Sequence, residues 1–280
     1  MVVAAADVGG TWTRVAFTDG RRTWRARQRT TALRGLAILL RRTTRRGGAR
    51  LPCHALVVAA RGVWTPGERR RARAHLRRLA RHVSVISDAE AAWRAALGEG
   101  PGVLILAGTG SIALGRDARG RWARAGGLGP LLGDEGSAFW LAREWLRRRG
   151  DDAYARRLAL RPDAVARIAA LAPTVLAQAR GGDRVAAAVA RAGQAALAAY
   201  VATVARALRL REPVRVGWAG ALMDDARYRA GVARALASCG VRSRWRRRDA
   251  EPIDAALALA QEAIRRGPRA NARPPRRGVR

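Results

Sequence analysis

The chain has 280 residues, and its 55 lysine-plus-arginine positions are all arginine, against 21 acidic residues. The absence of lysine excludes proteins that need a lysine ammonium, namely Walker-type phosphate loops, protein kinases and Schiff-base or pyridoxal enzymes. The net charge of +34 suits a polyanionic partner. The dominance of alanine, arginine and glycine favours another explanation, a GC-rich coding bias acting on solvated surfaces, so we do not expect nucleic acid as the partner.

The cysteines and the apolar segments indicate the compartment. Cys53 and Cys239 lie far apart without a CxxC or Cys/His cluster, which predicts two buried thiols and neither a disulfide nor a zinc site. We expect no segment to reach the roughly 20 apolar residues of a membrane span, and the N-terminus has no basic leader region. We therefore expect a cytoplasmic protein that does not associate with a membrane.

Strand and helix patterns alternate over the first hundred residues. Glycine turns at Asp7-Val8-Gly9-Gly10-Thr11 and Asp19-Gly20 separate predicted strands. Thr65 is a predicted helix N-cap, with Pro66 at the first helical position and Glu68 closing a capping box. The predicted strands are 2–6, 13–18, 23–29, 55–60 and 83–86, and the predicted helices are 33–42, 66–81 and 89–97.

The pattern of strand, glycine turn and strand then occurs a second time. Gly108-Thr109-Gly110-Ser111 separates predicted strands at 103–107 and 112–116, and a third strand follows at 121–125. A glycine-rich run at 126–136 leads into helices that continue to about residue 210. The last predicted elements are strands 214–218 and 241–245 and helices 227–238 and 252–265. The repeat predicts an α/β protein with two similar halves.

The two glycine turns are candidate phosphate sites. Their backbone N–H groups and hydroxyls suit an anion, and two such turns facing each other would hold a nucleotide's phosphates without a lysine. Asp7 ends the first strand beside one turn, where its carboxylate would hold Mg²⁺ or act as an Asx-turn partner.

Two further groups of acidic residues are candidates for substrate chemistry. Asp88 follows the strand before the second half, where it would accept a proton from a substrate hydroxyl or cap the next helix. Asp134 and Glu135 lie in the glycine-rich run, before the aromatic pair Phe139-Trp140. Carboxylates among backbone amides suit the vicinal hydroxyls of a sugar, and the alternative is a plain loop with a capped helix.

Together these motifs resemble the N-acetylglucosamine kinase branch of the BadF/BadG/BcrA/BcrD ATPase family, in the actin, hexokinase and Hsp70 superfamily. The resemblance extends from residue 2 to about residue 265. It rests on Asp7-Val8-Gly9-Gly10-Thr11, Ser87-Asp88-Ala89, Leu106-Ala107-Gly108-Thr109-Gly110-Ser111, Gly126-Gly127-Leu128-Gly129 and Gly133-Asp134-Glu135-Gly136-Ser137.

The resemblance implies two ribonuclease-H-like, actin-like ATPase lobes with an interdomain nucleotide cleft for ATP and Mg²⁺. Asp88 would be the catalytic base, and Asp7 would hold the metal. The other implied contacts are phosphate contacts at Gly9, Gly10, Thr11, Gly108, Thr109 and Gly110, an adenosine contact at Gly220, and sugar contacts at Gly127, Gly129 and Asp134, with Ser111 next to the sugar.

The implied domains are an N-terminal lobe at 1–88, with helix 252–266 packing back onto it, and a C-terminal lobe at 89–251. Residues 267–280 are expected to be a disordered arginine- and proline-rich tail. By family analogy we expect a homodimer and a small-molecule sugar substrate, such as N-acetylglucosamine or glucosamine.

The sequence departs from the family pattern at two places. Ala221 replaces the second glycine of the adenosine motif, and Thr30-Thr31-Ala32-Leu33 lacks the sugar-binding asparagine. These departures leave open which hexose derivative is the substrate. They also leave a second function, a regulatory nucleotide-binding protein that has lost phosphotransfer. The two cysteines do not match the iron–sulfur site of the related reductase activators, so that branch is set aside.

Overall fold

The computed structural model describes residues 1–9, 12–30, 33–246 and 250–265. Within them the strands are β1 Val3–Val8, β2 Trp12–Thr18, β3 Thr23–Arg29, β4 Cys53–Ala60, β5 Ala80–Ser87, β6 Gly102–Ala107, β7 Ser111–Arg116, β8 Trp122–Gly126, β9 Val214–Ala219 and β10 Ser243–Arg246. The helices are α1 Leu33–Arg46, α2 Pro66–Leu76, α3 Asp88–Leu97, α4 Ala138–Arg149, α5 Asp152–Ala159, α6 Ala164–Ala169, α7 Ala172–Arg180, α8 Arg184–Ala207, α9 Ala221–Asp224, α10 Ala226–Ser238 and α11 Pro252–Arg265.

Two compact units divide the chain, and their sheets have the same topology. The first unit contains residues Met1–Gly98 and helix α11, with strand order β3-β2-β1-β4-β5. The second unit begins at Glu99 and has strand order β8-β7-β6-β9-β10. In both sheets the first three strands are antiparallel and the last two run parallel to the central strand. The predicted α/β fold with two similar halves is confirmed.

The central strands of the first unit are apolar on both faces because helices cover both. Ala4 and Ala6 of β1 pack with Leu56 of β4 in the core under helix α1. The alternate residues, such as Val3 and Ala55, pack instead against α11. Successive side chains of a strand point to opposite faces, so continuous apolar runs follow from burial on both sides.

Helix α8 is the core helix of the second unit. It buries Val189, Leu197 and Val201 in a cluster that includes Val103 and Ile105 of strand β6. By length and apolar composition α8 could cross a membrane, so the expectation that no segment is long enough was wrong. Its apolar face packs on the sheet, which explains the composition of this helix.

Two sequence expectations fail for local reasons. The predicted helix 66–81 ends at Leu76, because residues from Ala80 pair with β4 and begin strand β5, where Cys53 lies opposite Ala80. Cys53 is buried as expected, whereas Cys239 is exposed just after helix α10 and not buried.

The boundary between the units also differs from the expected division after residue 88. Helix α3 packs against α11 and β4 and therefore belongs to the first unit, which extends to Gly98. The C-terminal helix α11 packs on β1 and β4 of the same unit. The arginine-rich tail predicted at 267–280 lies outside the described residues.

Candidate functional site

Asp7 is a buried acid in the central strand of the first unit. Its Oδ2 atom lies 3.4 Å from Nη1 of Arg14 on β2, and the Asp7 residue is 6% exposed. Burial raises the pKa of the Asp7 carboxyl to about 6, although the Arg14 guanidinium opposes this rise and the charge of Asp88 adds to it. Asp7 lies within strand β1, and the Gly9 N–H that an Asx turn would need donates instead to the Trp12 carbonyl.

The turn after β1 is closed by one backbone hydrogen bond and one from a threonine hydroxyl. Gly9 N–H donates to the Trp12 carbonyl at 3.1 Å, and the Thr30 hydroxyl donates to the Gly9 carbonyl at 2.8 Å. A Cβ atom on Gly9 would lie 3.3 Å from that same Trp12 oxygen, so a larger residue would crowd the turn. Gly10 and Thr11, the other predicted phosphate contacts here, lie outside the described residues.

Asp88 is the first residue of helix α3, and it does not cap that helix. The N-cap is Ser87, whose hydroxyl accepts from the Glu90 N–H at 3.1 Å, so the alternative role predicted for Asp88 belongs to its neighbour. Asp88 accepts at 2.9 Å from the N–H of Ala89. Burial is the main cause that raises the pKa of Asp88, while the Ala89 amide and the Arg61 guanidinium partly oppose it.

Arg69 and Glu90 stabilise the first turn of α3, in which Asp88 lies, and sequence reasoning missed both. Glu90 accepts from the Ser87 N–H at 2.8 Å, and Nη2 of Arg69 on helix α2 lies 2.9 and 3.0 Å from its two carboxylate oxygens. Glu90 is buried and the Arg69 side chain is 21% exposed. The start of α3 is therefore attached to α2 through a largely desolvated ion pair. The Ser87-to-Glu90 spacing was the only local signal, since it is that of a capping box.

The second glycine turn and the predicted adenosine glycine meet inside the second unit. Gly220 follows β9 with φ +93, and a Cβ there would lie 2.3 Å from the Ala107 carbonyl oxygen. The turn after β6 is closed by the Gly108 N–H, which donates to the Gly110 carbonyl at 3.0 Å. Thr109, at its tip, is exposed. The turn therefore presents the Thr109 hydroxyl, and the adjoining position 220 has no room for a side chain.

Asp134 lies against the same turn. A Cβ on Gly110 would lie 2.5 Å from Oδ2 of Asp134, so the carboxylate occupies the space beside this glycine. Asp134 is buried and has φ +60, a left-handed conformation that favours glycine. A buried acid held in a strained conformation next to a glycine turn is typical of a binding site.

The rest of the glycine-rich loop is attached to the unit by hydroxyl groups. Ser111 donates to the Glu135 carbonyl at 2.8 Å, so the Ser111 hydroxyl is used within the protein. Tyr200 of α8 donates to the Glu135 carboxylate, and Tyr228 of α10 donates at 3.0 Å to the Gly136 carbonyl. Sequence reasoning missed both tyrosines, because their partners are distant in the chain.

The two glycines of this loop that were predicted to contact the sugar differ in how closely they pack. A Cβ on Gly127 would lie 2.8 Å from the Ile112 side chain, and nothing lies within 4 Å of the corresponding position on Gly129. Both have positive φ values, +73 and +84. Ser137, directly after the loop, caps helix α4 by accepting from the Trp140 N–H at 3.1 Å.

The acids of the first unit fit a magnesium ion that retains most of its water. No group of three or more His, Cys, Asp or Glu residues suited to a metal occurs in the part of the chain that the structure describes. Mg²⁺ is usually held by one or two carboxylates together with substrate phosphates and water. The charged form of Asp7 is disfavoured by burial and would be stabilised by an added cation, so this carboxylate fits the role.

Solved structures of sugar kinases share this fold. A protein from Chromobacterium violaceum, provisionally named an N-acetylglucosamine kinase, matches with a TM-score of 0.64 and 23% identity over 93% of this chain and 99% of its own. The ROK hexokinase from Thermus thermophilus matches with a TM-score of 0.59 and 19% identity over 95% of this chain and 100% of its own. Similarity at this identity shows the fold alone.

Sequence comparison adds a short match and a long one. The N-acetylmuramic acid/N-acetylglucosamine kinase of Clostridium acetobutylicum is 44% identical over 57 residues, which span 20% of this chain and 19% of the relative. The chain therefore aligns with only about a fifth of this relative's length. The family model for the BadF/BadG/BcrA/BcrD ATPases matches residues 3–243. The chain belongs to the BadF/BadG/BcrA/BcrD ATPase family.

Proposed function

We propose that the protein is an ATP-dependent sugar kinase that phosphorylates a hydroxyl group of an amino sugar or N-acetylhexosamine. One observation carries the proposal. Asp88 stands at the start of helix α3 without capping it, and burial raises its pKa. A carboxylate with a raised pKa is a stronger base, which suits the removal of a proton from an alcohol.

Two acids of the first unit have different roles in the proposed reaction. Asp88 accepts the proton of the sugar hydroxyl. The hydroxyl oxygen forms a bond to the γ-phosphorus, and the bond from that phosphorus to the ADP oxygen breaks. Asp7 would hold Mg²⁺, which neutralises phosphate charge when bound. The raised pKa of Asp7 supports this role, because a buried carboxylate without a sufficient countercharge stabilises an added cation.

The second unit would supply the remaining contacts. We propose that Gly108, Thr109 and Gly110 bind phosphate and that Gly220 lies against the adenosine. Asp134, supported by Gly127 and Gly129 in the same loop, would accept hydrogen bonds from the sugar. The close packing of Asp134 on Gly110 and of Gly220 on Ala107 supports a nucleotide contact and a sugar contact that meet at one turn.

The kinase names of the Clostridium relative and of the Chromobacterium structure point to N-acetylated amino sugars. The missing asparagine near Thr30 is the reason to include glucosamine and plain hexoses among the candidates.

A coupled assay of ADP release tests the proposal across N-acetylglucosamine, N-acetylmuramic acid, glucosamine and glucose, with Mg²⁺ present. We expect ADP release that depends on one class of these sugars and yields a phosphorylated sugar by mass spectrometry. ATP binding without sugar-dependent turnover on any member would overturn the proposal and favour the regulatory nucleotide-binding protein.

A further inference from the structure

A cavity of about 590 Å³ opens in the second unit at the starting ends of the parallel strands β6 and β9. The turn between β7 and β8 and the connection from α8 to β9 form its walls. The turn after β6 and Gly220 follow the opposite ends of the same strands. Six residues of strand separate the two ends by about 20 Å, so a molecule in this cavity does not reach the proposed nucleotide contacts of the same unit.

The lining of the cavity is strongly cationic. Five arginines line it against two acids, and both acids already have partners. Asp117 pairs with Arg121 at 2.6 Å, and Glu212 pairs at 3.0 Å with Arg242, which is not part of the lining. The other lining arginines are Arg119, Arg209, Arg211 and Arg215.

Three of these guanidinium groups have no acid to neutralise them. Arg215 donates to the Glu99 carbonyl at 3.1 Å. No carboxylate in the described ranges forms an ion pair with Arg119, Arg209 or Arg211. The cavity therefore has three exposed arginines in its lining without an ion-pair partner among the described residues.

Arg209 occupies a backbone position at which glycine is favoured. It follows the last turn of α8 with φ +47, and the next residue, Leu210, donates to the Ala205 carbonyl at 3.0 Å, which is the pattern of a Schellman motif. Helices α4 and α10 end with Gly150 and Gly240 at φ +75. A non-glycine residue in this conformation costs about 1 kcal/mol. At the end of α8 the chain accepts that cost for an arginine that lines the cavity.

We propose that this cavity binds a small organic phosphate, and that Arg119, Arg209 and Arg211 hold its phosphoryl group. Guanidinium forks match the oxygens of a phosphate dianion, and each unpaired fork forms charge-assisted hydrogen bonds with it. The volume suits a molecule the size of a sugar phosphate or a mononucleotide. The proposal does not rest on the kinase activity, because the cavity and its arginines belong to the second unit alone.

Isothermal titration of the full-length protein with inorganic pyrophosphate tests this site. The cavity variant combines Arg119→Gln, Arg209→Gly and Arg211→Gln. The matched control combines Arg73→Gln, Arg77→Gln and Arg78→Gln, which removes the same charge from exposed arginines of the first unit. Both variants should bind pyrophosphate equally at other places, including the nucleotide site, and should attract it equally through their net charge.

We expect the unmodified protein and the control to bind pyrophosphate alike, and the cavity variant to lose one site or to bind there about tenfold more weakly or worse. Arg209→Gly relieves the backbone, so the variant should melt no lower than the control, which separates lost binding from lost folding. Equal binding by the cavity variant and the control would overturn the proposal, as would a protein that binds no pyrophosphate. A sugar phosphate in place of pyrophosphate should show the same loss.

Discussion

Nη2 of Arg69 lies within 3.0 Å of both carboxylate oxygens of Glu90. This contact joins helix α2 to the first turn of α3, in which Asp88 stands between the capping residues Ser87 and Glu90. The helix start that carries the proposed base is therefore attached to a neighbouring helix.

Loss of the Arg69 guanidinium should weaken both the fold and the site. Arg69→Ala removes the charge-assisted hydrogen bonds of the buried Glu90, which should cost about 2–3 kcal/mol of unfolding free energy. The kcat should fall because the first turn of α3, which contains Asp88, loses its attachment to α2. Urea unfolding and steady-state kinetics measure the two effects. Arg73→Ala on the same helix, where the side chain is exposed, is the control and should change stability by less than about 0.5 kcal/mol. Equal effects of the two substitutions would contradict the role given to Arg69.

Asp88→Asn should remove the general base and retain the shape of the site. Turnover of the preferred sugar should fall by about 10²- to 10⁴-fold, and ATP affinity, measured by calorimetry, should change little. Asp152→Asn, an exposed acid in the first turn of α5, is the control and should retain full turnover. Normal turnover in the Asp88 variant would show that another group takes the proton.

Asp7 should make stability depend on pH. Its folded pKa of about 6 lies above the ordinary 3.8, so the folded state binds the proton more tightly than the unfolded state. The favourable contribution is complete below about pH 4 and is lost as the pH rises through 6. Asp7→Asn should therefore be more stable than the unmodified protein above pH 7, by up to about 3 kcal/mol, and equal to it near pH 4.

Thermal unfolding in EDTA over this pH range measures the stability difference between Asp7→Asn and the unmodified protein. Asp7→Asn should also lose Mg²⁺-dependent turnover. Arg14→Gln provides the opposite control. It removes the nearby guanidinium, which should raise the pKa of Asp7 further and lower stability at neutral pH. A stability difference that does not vary with pH would show that Asp7 is not the titrating group.

Substitutions at two glycines with nearly the same φ distinguish the cost of backbone strain from the cost of close packing. Gly220 has φ +93 and a backbone oxygen 2.3 Å from its absent Cβ, whereas Gly182 has φ +95 and nothing within 4 Å. Gly182→Ala should cost only the backbone strain, about 1 kcal/mol. Gly220→Ala should cost at least about 2 kcal/mol more, because the Ala107 backbone must move, and it should raise the KM for ATP. Equal losses of melting temperature would mean that the turn can shift without cost.

Tyr200 should affect the sugar more than the nucleotide. Tyr200→Phe removes the hydroxyl that donates to Glu135, next to Asp134 in the proposed sugar loop. We expect a KM for sugar raised about five- to tenfold, since a hydrogen bond to a charged group contributes about 1.5 kcal/mol, with an unchanged KM for ATP. Tyr154→Phe in helix α5 is the matched control. A rise in both KM values would indicate a general loss of structure and not a defect in the loop.

Local patterns in the sequence predict the parts of this protein that are determined locally. The two glycine turns predicted two copies of strand, turn and strand, because each turn ends an apolar run and starts another, and the structure has one copy in each sheet. Thr65, Pro66 and Glu68 predicted the start of α2, and the capping box is present in the structure. The turn at Gly108 and the distant Gly220 were both chosen as nucleotide contacts, and in the second unit they pack together.

Contacts between distant residues could not be predicted. Arg69 is one of many arginines in its helix, and only the packing of α2 beside α3 selects it as the partner of Glu90. Tyr200 and Tyr228 resemble ordinary core aromatics in a helix until the glycine-rich loop is placed beneath them. The left-handed conformation of Asp134 has no local sequence signal, since aspartate is common in every kind of loop.

The return of helix α11 to the first unit affects how the protein must be made. Ile253, Ala256 and Leu257 cover the face of the first sheet that carries Val3 and Ala5, yet they are translated after the second unit. The second unit is continuous over Glu99–Arg246 in the described chain and can close while synthesis continues. Until α11 is synthesised, one apolar face of the N-terminal sheet stays uncovered. The half of the molecule that is translated first is therefore the half that can finish folding last.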